Sequence, residues 1–308
     1  MLYTDFWETF ICSGAIPGMS NNQNGEMHSM RELTKIEFEE LRAVELQMLD
    51  VFLDVCEKEK LRYFLVGGCA IGAIRHHGFI PWDDDIDIAM PRPDYMRLIE
   101  IGKRCFPNYL FVQNHDTDEQ YCQGFAKIRN SNTTFVECDT KDARINHGVY
   151  IDIFPIDGFP DNIFSQKILY YQSKIVKAAL CKGEYSFSGS IRDFIIACIA
   201  RIYRNISSKE ILDKFEKRVM KYDYDRTRNS ICYFGFYGKK EITPVCVYGN
   251  GTIADFEGRN VKIPEDYHSY LVQKYGDYMK LPPKDKQISH HPIEVFDMRK
   301  SYIEYEGK

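Results

Sequence analysis

The sequence predicts an α+β fold, and three observations favour this class. The first half of the chain alternates short strands, rich in β-branched and aromatic residues, with helical segments. After residue 160 the hydrophobic pattern becomes mainly helical. Hydrophobic residues make up 44% of the 308 positions, which is enough to bury a sizeable core.

The charge balance and the cysteines restrict the class of protein. The 45 acidic residues outnumber the 40 basic ones, and a net charge of -5 argues against a nucleic-acid partner. The 10 cysteines include no C-x-x-C pair, which argues against a structural zinc site and favours a reducing compartment, the cytoplasm. The longest apolar run, Phe194–Ala200, is far shorter than the ~20 residues that cross a bilayer. The beginning of the chain also lacks the pattern of a secretory signal.

The first elements form a strand-turn-helix unit behind a leader. Residues 1–30 are rich in turn-forming residues and predict a loose leader. Thr34 and Glu37 have the spacing of a capping box, and apolar residues then recur every three or four positions, which predicts the first helix. A strand over 63–66 leads through a glycine pair into a short helix over 69–76.

The remaining elements follow from the same signals. The acidic run 82–90 has the composition of an extended segment, and Pro93 then begins a helix to about residue 106. Strands are predicted at 110–113, 124–128, 133–137 and 149–154, then helices at 163–181, 191–204 and 209–222, short strands between 232 and 263, and a helix after Pro264 that ends at Gly276. The predicted organisation is a leader over 1–30, a catalytic core over 31–160, a helical, substrate-binding part over 161–292 and a tail over 293–308.

Carboxylates are concentrated on one predicted strand. Alternate side chains of a strand share a face, so Asp83, Asp85 and Asp87 point one way and Asp84 the other. Such carboxylates repel one another unless a cation or full solvation compensates, and oxygen ligands suit Mg²⁺ or Mn²⁺. A solvated acidic turn is the alternative interpretation.

A fourth carboxylate, Asp152, stands alone in the apolar strand 149–154 and therefore needs a strong partner. That partner is either a metal ion or a hydrogen bond from the backbone or an arginine.

The glycine pair Gly67-Gly68 offers a helix N-terminus of the kind that holds a phosphate. Three basic residues lie near these segments: Arg75, His76 and Lys127. They would bind a phosphate or stabilise a departing group, or else form surface salt bridges.

Together these features resemble the nucleotidyltransferase fold, and the run Gly67–Asp87 (GGCAIGAIRHHGFIPWDDDID) resembles the signature of the LicD family. Three further segments are similar to that family: 127–133, 150–158, and 275–283 with His290-His291 behind it. The resemblance covers residues 31–292 and implies a nucleotidyltransferase-type mixed β-sheet flanked by helices. Fukutin-related proteins are distant relatives.

The resemblance implies a metal-dependent phosphotransferase. An alcohol phosphate, with phosphocholine favoured, would move from a CDP-activated donor such as CDP-choline to a sugar hydroxyl of a cell-surface glycan such as teichoic acid or lipopolysaccharide, releasing CMP. Its implied catalytic residues are Asp85, Asp87 and Asp152, which would hold one or two Mg²⁺ (or Mn²⁺) ions with Asp83 as an additional ligand. Its implied substrate-binding residues are Gly67, Gly68, Arg75, His76, Lys127, His290 and His291. The long spacing between Gly68 and Asp85 leaves open whether Asp83 or Asp85 begins the metal pair, and we favour Asp85 with Asp87.

Two other functions stay open at this stage. An enzyme of the same fold could be a nucleotidyltransferase, which directs attack to the α-phosphorus of a nucleoside triphosphate and releases pyrophosphate. Alternatively, the chain could be a non-catalytic metal-binding partner of other enzymes. The segment 192–204 mixes isoleucines with arginines. It predicts either a core helix or a helix resting on an anionic membrane near a lipid-linked acceptor, at the inner face of the plasma membrane.

Overall fold

A computed structural model of the protein describes residues 33–181, 191–288 and 293–305. The predicted leader and the pair His290-His291 lie outside the described residues. The helices are α1 (Lys35–Glu59), α2 (Gly67–Arg75), α3 (Arg92–Cys105), α4 (Ile163–Leu180), α5 (Ile191–Ile202), α6 (Ser208–Val219), α7 (Val245–Tyr248) and α8 (Tyr267–Tyr275). The strands are β1 (Phe64–Leu65), β2 (Asp87–Pro91), β3 (Leu110–Gln113), β4 (Ala126–Asn130), β5 (Thr134–Glu137), β6 (Val149–Phe159), β7 (Asn229–Ile231), β8 (Ile242–Pro244), β9 (Thr252–Phe256), β10 (Arg259–Ile263) and β11 (Ile293–Asp297).

The main sheet is mixed, which confirms the predicted α+β class. Among the described residues it has seven strands, in the order β1-β2-β6-β4-β3, with β7 paired to the end of β6 and β8 paired to β7. The strands β2 and β6 are parallel, and the other pairs in this sheet are antiparallel. The hairpin β9–β10 and the pair β11–β5 lie outside this sheet. The sequence places residues 293–297 in a tail, and here they form β11.

The helix ends that the sequence predicts are confirmed by their capping contacts. The Thr34 side chain accepts a hydrogen bond from the Glu37 backbone, and the Glu37 side chain caps the Thr34 backbone in return. Ser207 accepts from the backbone of Glu210 at the start of α6. The helix α8 ends at Gly276, whose φ of 71° lies in the left-handed region that glycine tolerates.

The central strand β6 is longer than the sequence predicts, because it changes partner along its length. Its first part pairs with β4 up to Ile153, and its last part pairs with β7 from Asp157 onwards. Pro155, which has no N–H to donate, falls in the gap between these two antiparallel partners. The strand is buried throughout, from Val149 to Phe159.

The strand β2 is shorter than predicted and begins only at Asp87. The residues just before the strand nevertheless alternate in burial, as the sequence predicts. Asp83, Asp85 and Asp87 are half-buried, whereas Asp84 and Ile86 are buried. The alternation therefore begins before the hydrogen-bonded strand does.

Two apolar clusters form the core of the described residues. The larger one joins α1, α2 and α3 with the sheet, and it also contains residues of β10 and α8. The smaller one joins α4, α5 and α6 with the far end of β6. Elements from beyond residue 240 thus pack on the first part of the chain, and the division at residue 160 stays a prediction. No described helix combines the length and apolar character needed to cross a membrane.

A buried ionic network lies where the end of β6 meets α3 and α6. Arg92 donates two hydrogen bonds to the Asp157 carboxylate, at 2.7 and 2.8 Å. It donates a third, at 3.1 Å, to Glu216 on α6. Burial disfavours the charged guanidinium, but the charge and hydrogen bonds of Asp157 together with the charge of Glu216 outweigh that effect and raise the pKa of Arg92. This bidentate pair holds β6, α3 and α6 in one arrangement.

Candidate active site

Three charged side chains occupy one row across the centre of the main sheet. Asp87 on β2 pairs in register with Asp152 on β6, and Asp152 pairs in register with Lys127 on β4. Residues paired on neighbouring strands, about 4.8 Å apart, point to the same face of a sheet. The row therefore brings two carboxylates and one ammonium together from three separate segments, all predicted as site residues.

The partner of Asp152 is Lys127. The Lys127 Nζ atom lies 2.9 Å from Asp152 Oδ1 and 3.3 Å from Asp152 Oδ2, and both side chains are buried. The same ammonium lies 3.2 Å from the centroid of the Tyr150 ring, whose negative face attracts a cation. The sequence predicts a metal ion, a backbone group or an arginine as the partner of Asp152, and the metal ion stays a prediction. Lys127 was predicted to contact substrate, and its pairing with Asp152 was missed because only strand register shows it.

The glycine pair at the start of α2 lies against the acidic segment. A Cβ atom at Gly68 would lie 2.2 Å from Asp83 Oδ2, and one at Gly67 would lie 2.7 Å from Asp87 Oδ2. Gly67 also has a φ of 60°, which disfavours any side chain. The partial positive charge of a helix N-terminus stabilises nearby carboxylates. The sequence predicts a phosphate at this turn, and the structure places Asp83 and Asp87 beside it.

We expect Gly68→Ala to lower activity without unfolding the protein. Alanine favours a helix, but its methyl group would push the Asp83 carboxylate aside. A displacement of about 1 Å at a reacting centre can cost about 10²-fold in rate, and we expect a loss in kcat/KM of that order. Steady-state kinetics and thermal unfolding would be compared with Gly258→Ala, where nothing lies within 4 Å of the added Cβ. Gly258 has a φ of 75°, which alanine adopts at a cost of roughly 1–2 kcal/mol, so this control should lose some stability and keep its activity. Equal activity of Gly68→Ala and the wild type would contradict this expectation.

Arg42, on α1, fixes the segment that carries the carboxylates. It donates hydrogen bonds to the backbone carbonyls of Ile80 (2.6 Å) and Asp83 (2.8 Å). Its guanidinium also stacks over the rings of Phe38 and Phe79, at 4.3 and 4.7 Å from their centroids. Burial lowers the pKa of Arg42, and the charges of Glu45 and Asp83 oppose that shift. Arg42 was not predicted from the sequence, because the carbonyl groups that it contacts are about 40 residues away.

Cys69 joins the first turn of α2 to the acidic segment. Its thiol donates to the Asp85 carbonyl, and its sulfur accepts from the Asp87 N–H, both at 3.4 Å. Burial raises the pKa of Cys69 well above its usual range, and the charges of Asp83, Asp87 and Asp85 raise it further. The thiol therefore stays protonated. The charges of all three carboxylates therefore act on one sulfur atom.

Arg75 and His76 lie at the other end of α2. Arg75 donates to the carbonyls of Tyr278 (2.5 Å) and Lys280 (3.5 Å), and its Nε contacts His76 Nε2 at 3.0 Å. Burial lowers the pKa of His76, and the charge of Arg75 adds to that effect. Arg75 therefore binds the loop after α8, which belongs to the predicted segment 275–283. Its role as a phosphate ligand stays a prediction.

Two half-buried tyrosines from the C-terminal part of the chain lie within electrostatic reach of Asp87. The Tyr237 and Tyr275 rings meet edge to face with centroids 5.0 Å apart. Burial raises the pKa of both hydroxyls, and the Asp87 charge contributes to both shifts. These rings were missed because 21 tyrosines gave no local signal to distinguish them.

A family model described as "LicD/FKTN/FKRP, nucleotidyltransferase domain" matches residues 60–181, which contain Gly67, Gly68, all four carboxylates and Lys127. The chain is also 31% identical over 274 residues to a Haemophilus influenzae protein named lipopolysaccharide cholinephosphotransferase LicD. This match covers 86% of the chain and 99% of that relative. The chain belongs to the LicD family. It is an enzyme of the LicD phosphotransferase type, as the sequence motifs predict.

Two uncharacterised Rickettsia proteins match shorter parts of the chain. The relative in Rickettsia prowazekii is 25% identical over 38% of this chain and 40% of its own length. The relative in Rickettsia typhi is 30% identical over 28% of this chain and 34% of its own length. The similarity to the Haemophilus protein extends well beyond the matched family domain and includes the helical part of the chain.

The carboxylates of this LicD chain suit a hard divalent cation. Asp83, Asp85 and Asp87 are half-buried beside a helix N-terminus, and Asp152 adjoins Asp87 on the next strand. An all-oxygen donor set of this kind fits Mg²⁺ or Mn²⁺ better than a softer metal. The donor set therefore fits the cofactor that the resemblance implies.

A second group of potential ligands lies elsewhere in the described residues, at His115, Asp116 and Asp213. Lys209 forms ion pairs with both aspartates. The ammonium group of Lys209 therefore already balances the negative charge of this cluster.

Proposed function

We propose that the protein transfers phosphocholine from CDP-choline to a sugar hydroxyl of a lipid-linked cell-surface glycan, with lipopolysaccharide as the favoured acceptor. The name of the Haemophilus relative, a lipopolysaccharide cholinephosphotransferase, supports the transferred group and the class of acceptor. The in-register row Asp87, Asp152 and Lys127 is the observation that carries the proposal, because it concentrates acidic and basic groups at one point of a sheet. Family membership supports the phosphotransferase class.

The reaction is a displacement at the phosphorus atom of the phosphocholine group. The acceptor oxygen forms a new bond to that phosphorus, the bond from phosphorus to the bridging oxygen breaks, and CMP leaves with that oxygen. The proton of the attacking hydroxyl must move to a base, and Asp152 is the carboxylate that we assign to this role. Its buried position next to Lys127 keeps it fixed in the row.

The other residues of the row orient the phosphates and balance their charge. Lys127 provides a buried positive charge that compensates for charge on the departing CMP. Asp83, Asp85 and Asp87, with Asp152, would hold Mg²⁺. When bound, this ion would neutralise the diphosphate and lower the pKa of the attacking hydroxyl.

The first test is phosphorus NMR of the full-length protein with Mg²⁺. Separate samples would contain CDP-choline, CDP-ribitol, CDP-glycerol or a nucleoside triphosphate, each with a glycan acceptor or with water as a slow substitute. We expect CMP to form from CDP-choline and the signal to be lost when EDTA removes divalent ions. This loss should be reversed by added Mg²⁺ or Mn²⁺.

Each other outcome has a defined meaning. Turnover of CDP-ribitol or CDP-glycerol in place of CDP-choline would support the phosphotransferase activity but contradict choline as the alcohol of the donor. Pyrophosphate released from a triphosphate would favour a nucleotidyltransferase. Turnover that resists EDTA would contradict the role assigned to the four carboxylates, and no turnover with a lipopolysaccharide acceptor present would favour a non-catalytic metal-binding partner.

A further inference from the structure

The outward face of α5 is apolar. Four of its large side chains are more than half exposed: Ile191 (80%), Phe194 (57%), Ile195 (52%) and Ile202 (75%). On a helix, residues at spacings of four, seven and eleven share one stripe, so Ile191, Ile195 and Ile202 lie along a single line with the exposed Cys198 between them.

The opposite face of α5 is apolar as well and faces the protein. Ile196 and Ala200 are buried in the smaller core cluster, together with residues of α4 and α6. An amphipathic helix of a water-soluble protein normally places polar residues opposite its buried stripe. Packing against the core therefore explains the apolar residues on the inward side of α5, but it does not explain those on the outward side.

The helix α4, which packs against α5, exposes large apolar side chains as well. At its first turns, Ile163 and Phe164 are 68% and 72% exposed, and Ile168 is 43% exposed. Exposed apolar side chains concentrated on one helix pair favour an interaction site, because burying each of them away from water is favourable.

Basic side chains accompany the apolar face of α5. Arg201 and Arg204 are exposed at its C-terminal end. This local charge is opposite in sign to the net charge of -5 of the whole chain. Apolar side chains flanked by arginines complement a bilayer with anionic headgroups, since the rings and branched chains enter the interface and the guanidinium groups bind lipid phosphates.

We infer that α5 binds the surface of an anionic membrane, with Phe194, Ile195 and Ile202 inserted at the interface and Arg201 and Arg204 against the headgroups. This surface is separate from the carboxylate row and does not depend on the transfer chemistry. It would hold the enzyme where a lipid-linked acceptor is found. This last consequence rests on the proposed function.

The test is flotation of the full-length protein with vesicles, in the absence of donor, acceptor and added metal. We expect binding to vesicles of phosphatidylcholine mixed with phosphatidylglycerol, weaker binding to phosphatidylcholine alone, and less binding at high salt. The double variant Phe194→Ser/Ile195→Ser should lower the affinity by about tenfold or more, because two inserted side chains are lost. Arg201→Gln/Arg204→Gln should remove most of the preference for anionic lipid.

Two controls make the test specific. Ile253→Ser replaces an isoleucine on β9 that is 60% exposed, and it should bind vesicles like the wild type. An environment-sensitive dye on Cys198 should shift to shorter wavelength with anionic vesicles, whereas the same dye on Cys246, which is also exposed, should not. In each labelled protein the other exposed cysteine would be changed to serine, together with Cys12 and the half-buried cysteines Cys105, Cys122, Cys138 and Cys181.

Absence of binding to either vesicle type would overturn the inference. It would also be overturned if Phe194→Ser/Ile195→Ser bound vesicles as well as the wild type did. If that variant instead converted a dimer to a monomer in light scattering, with no effect on vesicles, a second copy of the chain would be the occupant of this face. These outcomes do not depend on turnover, so they are distinguishable from failure of the proposed function.

Discussion

Asp87→Asn is expected to lower kcat for phosphotransfer by about 10³-fold or more while leaving the protein folded. Asp87 is half-buried, stands in register with Asp152 and lies against Gly67. Asparagine keeps the shape of the side chain but removes the negative charge that would bind a divalent cation. The loss should therefore appear in turnover and in metal affinity, and the melting temperature should change little.

The measurement combines phosphorus NMR kinetics with a titration of Mn²⁺ by calorimetry. Asp54→Asn is the matched control, since it changes an exposed carboxylate on α1 that takes no part in the row. Full activity of Asp87→Asn would exclude Asp87 from the catalytic site. Equal losses in both variants would indicate an effect of overall charge.

The second large effect is on stability and comes from breaking the buried pair Arg92–Asp157. Asp157→Ala leaves the guanidinium of Arg92 buried, with Glu216 as its remaining carboxylate partner. Removing one member of a buried ion pair costs about 3–5 kcal/mol, and we expect a decrease of that size in the free energy of unfolding. Urea denaturation followed by circular dichroism measures it.

An exposed pair in the same protein provides the comparison. Arg62 and Asp225 form a bidentate contact, with side chains that are 37% and 49% exposed. Ion pairs at the surface contribute at most about 1 kcal/mol, so Asp225→Ala should shift the urea midpoint only slightly. A loss for Asp157→Ala no greater than the loss for Asp225→Ala would show that burial does not set the strength of the Arg92 pair.

Much of the fold followed from local sequence signals. The capping contacts at Thr34 and Ser207, the glycine that ends α8 and the order of strands and helices as far as α6 are confirmed, whereas α7 and β11 were not predicted. Such signals depend on residues within one or two turns of each other, so they can be read without knowing the fold. The extent of β6 was underestimated because its last part is stabilised by β7, a partner more than 70 residues away.

The sequence predicted which residues form the candidate site, but it did not predict several of the contacts between them. The motifs identified Gly67, Gly68 and the four carboxylates, but they did not connect Lys127 with Asp152 or reveal Arg42. The tyrosines beside Asp87 were also missed, since Tyr237 and Tyr275 come from the C-terminal part of the chain. Those contacts join elements that are distant in sequence.

By itself, the sequence determined the family, the α+β class and the alternation that turns Asp83, Asp85 and Asp87 to one side, because motifs, caps and strand periodicity are local properties of a chain. Only the tertiary structure decided which charges meet. The parallel pairing of β2 with β6 and the antiparallel pairing of β4 with β6 set Asp87, Asp152 and Lys127 in one row. Strand register is fixed by packing between distant segments, and a shift of one residue would turn each of these side chains to the opposite face.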